Sequence, residues 1–289
     1  MKIKTNPILF PTILAIIVSF FGALDGIIVR ILTSEIHPFL IVFYRSLFGL
    51  SIIIPFFLNN KKVFVSSYRF LHIFRAFLKI LALTSFFLAF KSINLSDVVS
   101  ISFLTPLLII IGSILFLNET PTRNHVLFSL LGFLGILIIL KPGFALVPYS
   151  FYWAILGAFL SALIQLILKK MSSKDSPNTL TVWNLIYTVP LAFIPAIFYW
   201  VTPTLEMFIL LILQGFIGVL NMLFMTKAMS IANISYLAPY DFLRLPIVSI
   251  LAFSVFNEIP DFSTFVGAII IFFSSFFMTN LASKNKSPN

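Results

Sequence analysis

The chain carries Leu117-Asn118-Glu119-Thr120-Pro121 and, 139 residues later, Phe256-Asn257-Glu258-Ile259-Pro260, which are near copies within a sequence of 289 residues. The same offset relates further pairs of positions, namely Arg30 and Lys169, Pro38 and Pro177, Tyr44 and Trp183, and Arg45 and Asn184. A register that holds through most of each half indicates a tandem duplication of nearly the whole chain. In a chain this apolar, an internal repeat favours a transporter built from two related halves.

Hydrophobic residues make up 60% of the chain and charged residues only 10%, whereas a soluble domain has about a quarter of its residues charged. This composition predicts an integral membrane protein whose partner is the lipid bilayer. The formal net charge is +10, but the basic residues are scattered between apolar runs, which argues against nucleic acid binding. The absence of cysteine excludes disulfides, thiol catalysis and cysteine-bound metals.

Ten apolar runs are long enough to cross a bilayer as helices, which takes about 20 residues. They cover residues 8–31, 37–58, 69–90, 97–117, 124–141, 149–169, 179–201, 206–229, 234–256 and 262–281. We therefore expect an all-α membrane protein with ten transmembrane helices as a 5+5 inverted-topology repeat, since an odd number of spans in each half reverses the second copy. The repeats are predicted at 1–141 and 149–281, followed by a cytoplasmic tail, 282–289.

The basic residues orient this bundle. With the N-terminus in the cytoplasm, the cytoplasmic segments hold eleven of them: Lys2, Lys4, Lys61, Lys62, Arg69, Arg123, Lys169, Lys170, Lys174, Lys284 and Lys286. The opposite side holds three, which are Arg30, Lys91 and Lys141. Because cytoplasmic loops are enriched in Lys and Arg, this bias predicts both termini on the cytoplasmic side of a bacterial inner membrane.

Seven charged residues lie well within the spans: Asp25, Arg45, Arg75, Lys79, Lys227, Asp241 and Arg244. Each costs about 2.5–3.5 kcal/mol near a helix centre, so each faces a water-filled cavity, pairs with another charge or snorkels to the interface. Arg45 either contacts substrate or forms a buried ion pair with Asp25. Asp241 and Arg244 are three residues apart and form a second candidate pair. Arg75 either snorkels or belongs to these charge-pair or coupling residues.

The substrate site is predicted in a central cavity between the two repeats. The expected substrate-binding residues are Tyr44, Arg45, Lys79, Gln165, Trp183, Asn184, Asn221 and Tyr240. Tyr44-Arg45 and Trp183-Asn184 occupy equivalent repeat positions and should face this cavity from opposite sides. Five basic and two acidic intramembrane residues leave a net +3, which favours a small-molecule metabolite with an anionic group. No cofactor, metal or catalytic residue is predicted, and the sequence makes no prediction of oligomeric state.

Pro106 and Pro246 lie within equivalent spans, where a proline removes a helix hydrogen bond and bends the helix. Together with the aromatic-Arg pair of the second span and the Asn-Glu-x-Pro ends of spans four and nine, the pattern resembles the drug/metabolite transporter superfamily, EamA type. The segments Lys227-Ala228-Met229-Ser230-Ile231 and Ala238-Pro239-Tyr240 also resemble the S-adenosylmethionine uptake carriers of that superfamily. The resemblance implies a cavity lined by spans one to four and six to nine, and structural capping roles for Glu119 and Glu258.

The function expected from these features is secondary transport of a small polar metabolite by alternating access. No Walker motif is present, so ATP does not drive the transport directly. A lipid or lipid-linked sugar flippase of the same fold is one alternative. An intramembrane lipid-modifying enzyme is another, although the three histidines are dispersed and no Asp-x-x-Asp or His-Glu-x-x-His motif occurs.

The predicted topology is tested by accessibility labelling of a cysteine placed beside Lys286. We expect labelling from the cytoplasmic side, because the eleven-to-three charge bias places both termini there. Labelling from the outside alone would contradict the assigned orientation.

Overall fold

The computed structural model describes residues 9–58, 60–92, 95–102, 104–118, 122–140 and 149–257, and isolated positions between 262 and 277. Over these residues all regular structure is helical and no strand is present. The α-helices are α1 (Leu9–Leu32), α2 (Pro38–Phe57), α3 (Arg69–Ser92), α4 (Leu95–Ser102), α5 (Leu104–Leu117), α6 (Arg123–Leu140), α7 (Ser150–Met171), α8 (Pro177–Ile197), α9 (Leu205–Ile231), α10 (Ile234–Leu237) and α11 (Arg244–Phe256). Short 3-10 helices cover Lys61–Phe64 and Ala238–Leu243.

In the described part of the chain, six helices are long and apolar enough to cross a membrane: α1, α2, α3, α7, α8 and α9. They correspond to predicted spans one to three and six to eight, so the all-helical fold is confirmed over these residues and is consistent with a membrane protein. The apolar segments Leu108–Leu117 and Val126–Gly135, within α5 and α6, are shorter. Most of the predicted tenth span, 262–281, lies outside the described residues, as do the tail, Glu119 and Glu258.

The predicted span nine is interrupted, since it consists of α10, a 3-10 helix and α11. Pro246 lies in the first turn of α11, where the backbone N–H groups have no partner within the helix, so a proline costs α11 no hydrogen bond. The sequence predicted a bend at Pro246, whereas the structure starts a new helix just before it. The described parts of the predicted span four are α4 and α5, and Pro106 lies in α5.

The long helices of the first half of the chain pack against those of the second half. α1 lies against α9, α7 against α3, and α2 and α3 each contact α8. A shift of 139 residues converts α1, α2 and α3 into α7, α8 and α9, so the α1–α9 contact is the counterpart of α7–α3. The α2–α9 contact is likewise the counterpart of α8–α3. Each half therefore contributes its long helices to contacts with the other half.

Matching signals begin and end the equivalent helices. His37 Nδ1 accepts a hydrogen bond from the Phe39 N–H at 3.3 Å before Pro38, and Ser176 caps α8 in the same way before Pro177. Burial and the nearby Lys91 lower the pKa of His37 from its ordinary value, which favours the neutral ring that this cap hydrogen bond requires. At the other ends, the residues after α5 and α11, Asn118 and Asn257, have φ values of 53° and 55°, a left-handed conformation that asparagine tolerates.

Two ends of the bundle are distinguished by their contacts. One end, called the N-terminal end, consists of the start of α1 and of segments 60–68 and 172–176. Here Thr12 forms a hydrogen bond with Tyr236, and the Ser66 hydroxyl donates one to Asp175. Segments 33–37 and 198–204 form the opposite end, where His37 stacks on Tyr199 with ring centroids 3.7 Å apart.

Gly215 allows the close approach of α9 to α2. A Cβ atom at Gly215 would lie 2.8 Å from Phe48 Cβ and 3.1 Å from the Arg45 carbonyl oxygen. Because one of these neighbours is backbone, Gly215→Ala should push the helices apart and lower the free energy of unfolding by about 1–3 kcal/mol. Thermal unfolding in detergent measures the change.

Gly26→Ala serves as the matched control, since its Cβ would meet Leu95 at 3.7 Å, an ordinary contact. Equal stability of the two variants would contradict close α2–α9 packing.

Candidate functional site

Side chains from both halves of the sequence surround a cavity of about 230 Å³, called the polar cavity. Its lining comes from α2, α3, α7, α8 and α9, and consists of Arg45, Arg75, Lys79, Ala82, Leu83, Ser161, Ile164, Gln165, Leu168, Asn184, Gly218, Asn221, Met222 and Met225. Five of the eight predicted substrate-binding residues are in this lining, together with Arg75.

Lys79 and Asn184 form the contact across the cavity between α3 and α8. Lys79 Nζ donates a hydrogen bond to Asn184 Oδ1 at 2.8 Å. The amide nitrogen of Asn184 is buried and has no hydrogen-bond partner. Its N–H groups are therefore donors that a polar ligand in the cavity could use.

Arg45 is both paired and part of the lining. Its guanidinium donates to Asp25 Oδ2 at 2.9 Å, and the two side chains are 14% and 16% exposed. The same guanidinium lies against α9 at Gly218, where a Cβ atom would be 2.8 Å from Arg45 Nε. Arg45 thus forms the ion pair with Asp25 and also lines the cavity, two roles that the sequence offered as alternatives.

Arg75 is a guanidinium buried to 1% exposure at the edge of the polar cavity. One nitrogen donates to the Leu180 carbonyl oxygen, while Nε and the other terminal nitrogen have no hydrogen-bond partner. The Gln165 side-chain oxygen is also buried without a partner. Unpaired buried polar groups cost free energy, so this arrangement favours a site completed by water or ligand. Such burial also excludes the snorkelling that the sequence had left open for Arg75.

Asn221 completes the polar lining on α9. Its amide nitrogen donates to the Val18 carbonyl oxygen at 3.1 Å, so it links the lining to α1.

Three aromatic residues predicted beside the cavity lie outside its lining. Tyr44 packs with Phe48 and Trp200, Trp183 lies against His72 and Tyr187, and Tyr240 donates to the Tyr236 hydroxyl at 3.0 Å. Adjacent helix positions point about 100° apart. The structure therefore directs Arg45 and Asn184 into the cavity and their neighbours Tyr44 and Trp183 elsewhere.

Asp241 and Arg244 form the second predicted pair, at 2.9 Å, away from the cavity lining. The Arg244 guanidinium lies against α1, where a Cβ atom at Gly22 would be 2.6 Å from Nε. Lys227, the remaining intramembrane base, is exposed on α9.

A polar cluster at the N-terminal end was missed by sequence reasoning. Asp175, only 5% exposed, accepts hydrogen bonds from the Ser67 N–H at 2.9 Å and from the Ser66 hydroxyl, and contacts His72 Nε2 at 3.3 Å. These contacts join the segment before α3 to the segment before α8. Asp175 lies in a loop of the sequence, where a carboxylate normally indicates solvent, so no local signal marked it.

A second cavity, of about 400 Å³, lies at the opposite end between the α1–α2 and α8–α9 connections. Glu35, His37, Lys91, Tyr199 and Trp200 are among its lining residues. No cluster of three or more metal-ligand side chains occurs in the part of the chain that the structure describes.

A family model, the EamA-like transporter family, matches residues 9–141 and again residues 149–280. The chain belongs to this family. A protein of Rickettsia bellii named S-adenosylmethionine uptake transporter is 31% identical over 255 residues, 88% of each chain. A riboflavin transporter of Vibrio cholerae is 29% identical over 215 residues, 74% of this chain and 72% of its own.

A solved crystal structure also shares the fold of this EamA-like chain. The TM-score is 0.78 at 17% sequence identity, and the match covers 98% of this chain and 99% of the other. The family and the named relatives are transporters and not enzymes. The intramembrane lipid-modifying enzyme considered from the sequence is thereby set aside.

Removal of one partner of the Asp25–Arg45 pair should destabilise the fold. Arg45→Ala leaves a carboxylate that is only 16% exposed without its cation, which is expected to cost about 3 kcal/mol. The double variant Asp25→Asn/Arg45→Ala should recover most of this loss, because it removes both charges. Thermal unfolding of the two variants in detergent measures the difference, and equal melting temperatures would mean that the pair contributes nothing.

Proposed function

We propose that this chain is a secondary transporter that moves a small polar metabolite through the polar cavity by alternating access. The observation that carries the proposal is the convergence of Arg45, Arg75 and Lys79 on a cavity lined from both halves of the sequence. Cations at membrane depth are expensive and are usually functional. The family supports a transporter, and the site supports the place where its substrate binds.

The charge balance supports a substrate with an anionic group. Arg45 is balanced by Asp25. No carboxylate in the described part of the chain forms an ion pair with Arg75 or Lys79. Two cations without a direct ion-pair partner therefore face the cavity, where Asp175 acts on Arg75 and Asp25 on Lys79 only from a distance. A carboxylate or phosphate would bind them directly. Leu83, Met222 and Met225 supply apolar and thioether surface for the remainder of the ligand.

S-adenosylmethionine is the first candidate, because the Rickettsia relatives carry that name. Its carboxylate suits Arg75 and Lys79, and its adenine ring suits the methionine-lined wall. Its sulfonium and amine are positive, and the described residues that line the polar cavity include no carboxylate to pair with them, so this candidate is supported by its carboxylate and its ring.

Riboflavin, named for the Vibrio relative, is the second candidate. It is favoured by the neutral polar lining of Ser161, Gln165, Asn184 and Asn221, which can hydrogen-bond a polyol. A lipid or lipid-linked sugar flippase is less well supported, because these named relatives carry soluble metabolites.

We also propose that the chain forms a ten-span inverted repeat. Its halves are 1–141 and 149–281, and both termini lie in the cytoplasm. The double match of the family model supports the division. A pair of contacts supports a two-fold relation: Lys79 meets Asn184, and Arg45 meets Gly218. The 139-residue register converts Lys79 into Gly218 and Arg45 into Asn184, so these contacts are images of one another.

Alternating access is supported by the small size of the cavity. Its volume of about 230 Å³ is below the roughly 300–1,000 Å³ of ligand pockets, so the helices must move apart to hold a metabolite of that size. The Asp175 cluster ties the two halves at the N-terminal end. Its hydrogen bonds can be exchanged for water, which makes it a suitable contact to break and remake during transport.

The proposed function is tested by uptake of labelled S-adenosylmethionine and riboflavin into cells that express the protein. Lys79→Met should reduce uptake at least tenfold, because it removes one of the two cavity cations that have no ion-pair partner, and with it the hydrogen bond to Asn184. About tenfold corresponds to 1.4 kcal/mol of lost interaction, below the usual value of a charged hydrogen bond.

Lys227→Met is the matched control, since it removes an exposed lysine from α9 outside the cavity. Uptake should stay within about twofold of the wild type. Equal loss in both variants would remove Lys79 from the site, and uptake of neither compound would reject both candidates.

A further inference from the structure

We propose that Gln214 is a substrate-pathway residue, buried in the present conformation and exposed to the pathway when the cavity opens toward the opposite end. The proposal rests on the proposed alternating access. It extends the pathway beyond the polar cavity, whose lining does not include this glutamine.

The Gln214 side chain is fully buried on α9, at 0% exposure. Neither its amide oxygen nor its amide nitrogen has a hydrogen-bond partner. An apolar side chain of similar size would avoid this cost in the present conformation. The amide is therefore not explained by the packing around it, which favours a role in another conformation.

Its position on the helix continues the cavity surface. Gly218, Asn221, Met222 and Met225 are the cavity-lining residues of α9. Gln214 precedes Gly218 by four residues, so it lies one turn farther along the same helix face, toward the opposite end. The polar stripe of α9 thus extends past the point where the cavity now ends.

The repeat identifies Gln214 as the counterpart of Arg75. The register of 139 residues joins these two positions, and α9 packs against α2 as α3 packs against α8. Both side chains are buried with polar atoms that lack a partner. Arg75, however, is already in the cavity lining. If the halves exchange conformations, Gln214 takes at the opposite end the place that Arg75 has now.

This exchange gives the pathway two different polar groups. A guanidinium meets the substrate near the N-terminal end, and a neutral amide meets it near the opposite end. A glutamine can donate to an anionic group and accept from an amine. One conformation therefore presents a charged side chain to the substrate, and the other presents a neutral one. An anion binds more strongly in the conformation that exposes Arg75.

Thiol labelling tests the inference without knowledge of the substrate. The natural chain has no cysteine, so a single Gln214→Cys variant in permeabilised cells can be treated directly with sulfonatoethyl methanethiosulfonate. We expect modification at least tenfold faster than in Val219→Cys. Val219 is 5% exposed on the same helix, about 140° around it from Gln214.

Equal rates in these two variants would overturn the inference. A third variant, Ser161→Cys, reports on the polar cavity itself. If Ser161→Cys is modified and Gln214→Cys is not, only the role of Gln214 is rejected. If neither variant is modified, the proposed cavity pathway is rejected as well.

Stability provides a second measurement. Gln214→Leu removes an amide that makes no hydrogen bond in this structure, so the melting temperature in detergent should be equal or higher. A fall of more than about 4 °C would show that the amide has a structural partner and would overturn the inference.

Discussion

The cost of placing cations in a hydrocarbon environment governs how this molecule is assembled. Three cations, Arg45, Arg75 and Lys79, lie within membrane-length helices of the first half. Each needs a polar or charged partner inside the membrane. Two of these partners lie in the second half: Arg75 donates to Leu180 and Lys79 to Asn184. Arg45 uses Asp25 of its own half but rests on Gly218 of the other. The buried cations therefore supply polar contacts between the two halves, beside the apolar clusters that the halves share.

The architecture was largely predictable from the sequence because membrane helices leave strong, local signals. Long apolar runs specify six of the helices, and His37-Pro38 and Ser176-Pro177 mark two of their starts. The interruption of span nine was less predictable. Proline indicates that a helix hydrogen bond is missing, but whether the chain bends or starts a new helix depends on the packing around it.

The candidate site was only partly predictable, for a related reason. Charge and amide identity pointed to Arg45, Lys79 and Asn184, because their burial in lipid would be costly. The aromatic neighbours could not be assigned a direction, since a helix that is apolar all round gives no periodic signal of its inward face. Asp175 was missed because its burial depends on a loop that is distant in sequence and meets it only in the folded chain.

The two halves differ in charge at three equivalent positions. The 139-residue register relates Arg45 to Asn184, Lys79 to Gly218 and Arg75 to Gln214. Had the cations been duplicated, like charges would face one another across a narrow cavity. At about 4 Å and an effective dielectric constant of about 20, such a pair repels by about 4 kcal/mol. Neutral counterparts avoid this repulsion, and the amides of Asn184 and Gln214 still offer hydrogen bonds. The neutral counterparts thus let a charged side chain of one half meet an uncharged residue of the other, as Lys79 meets Asn184 and Arg45 meets Gly218.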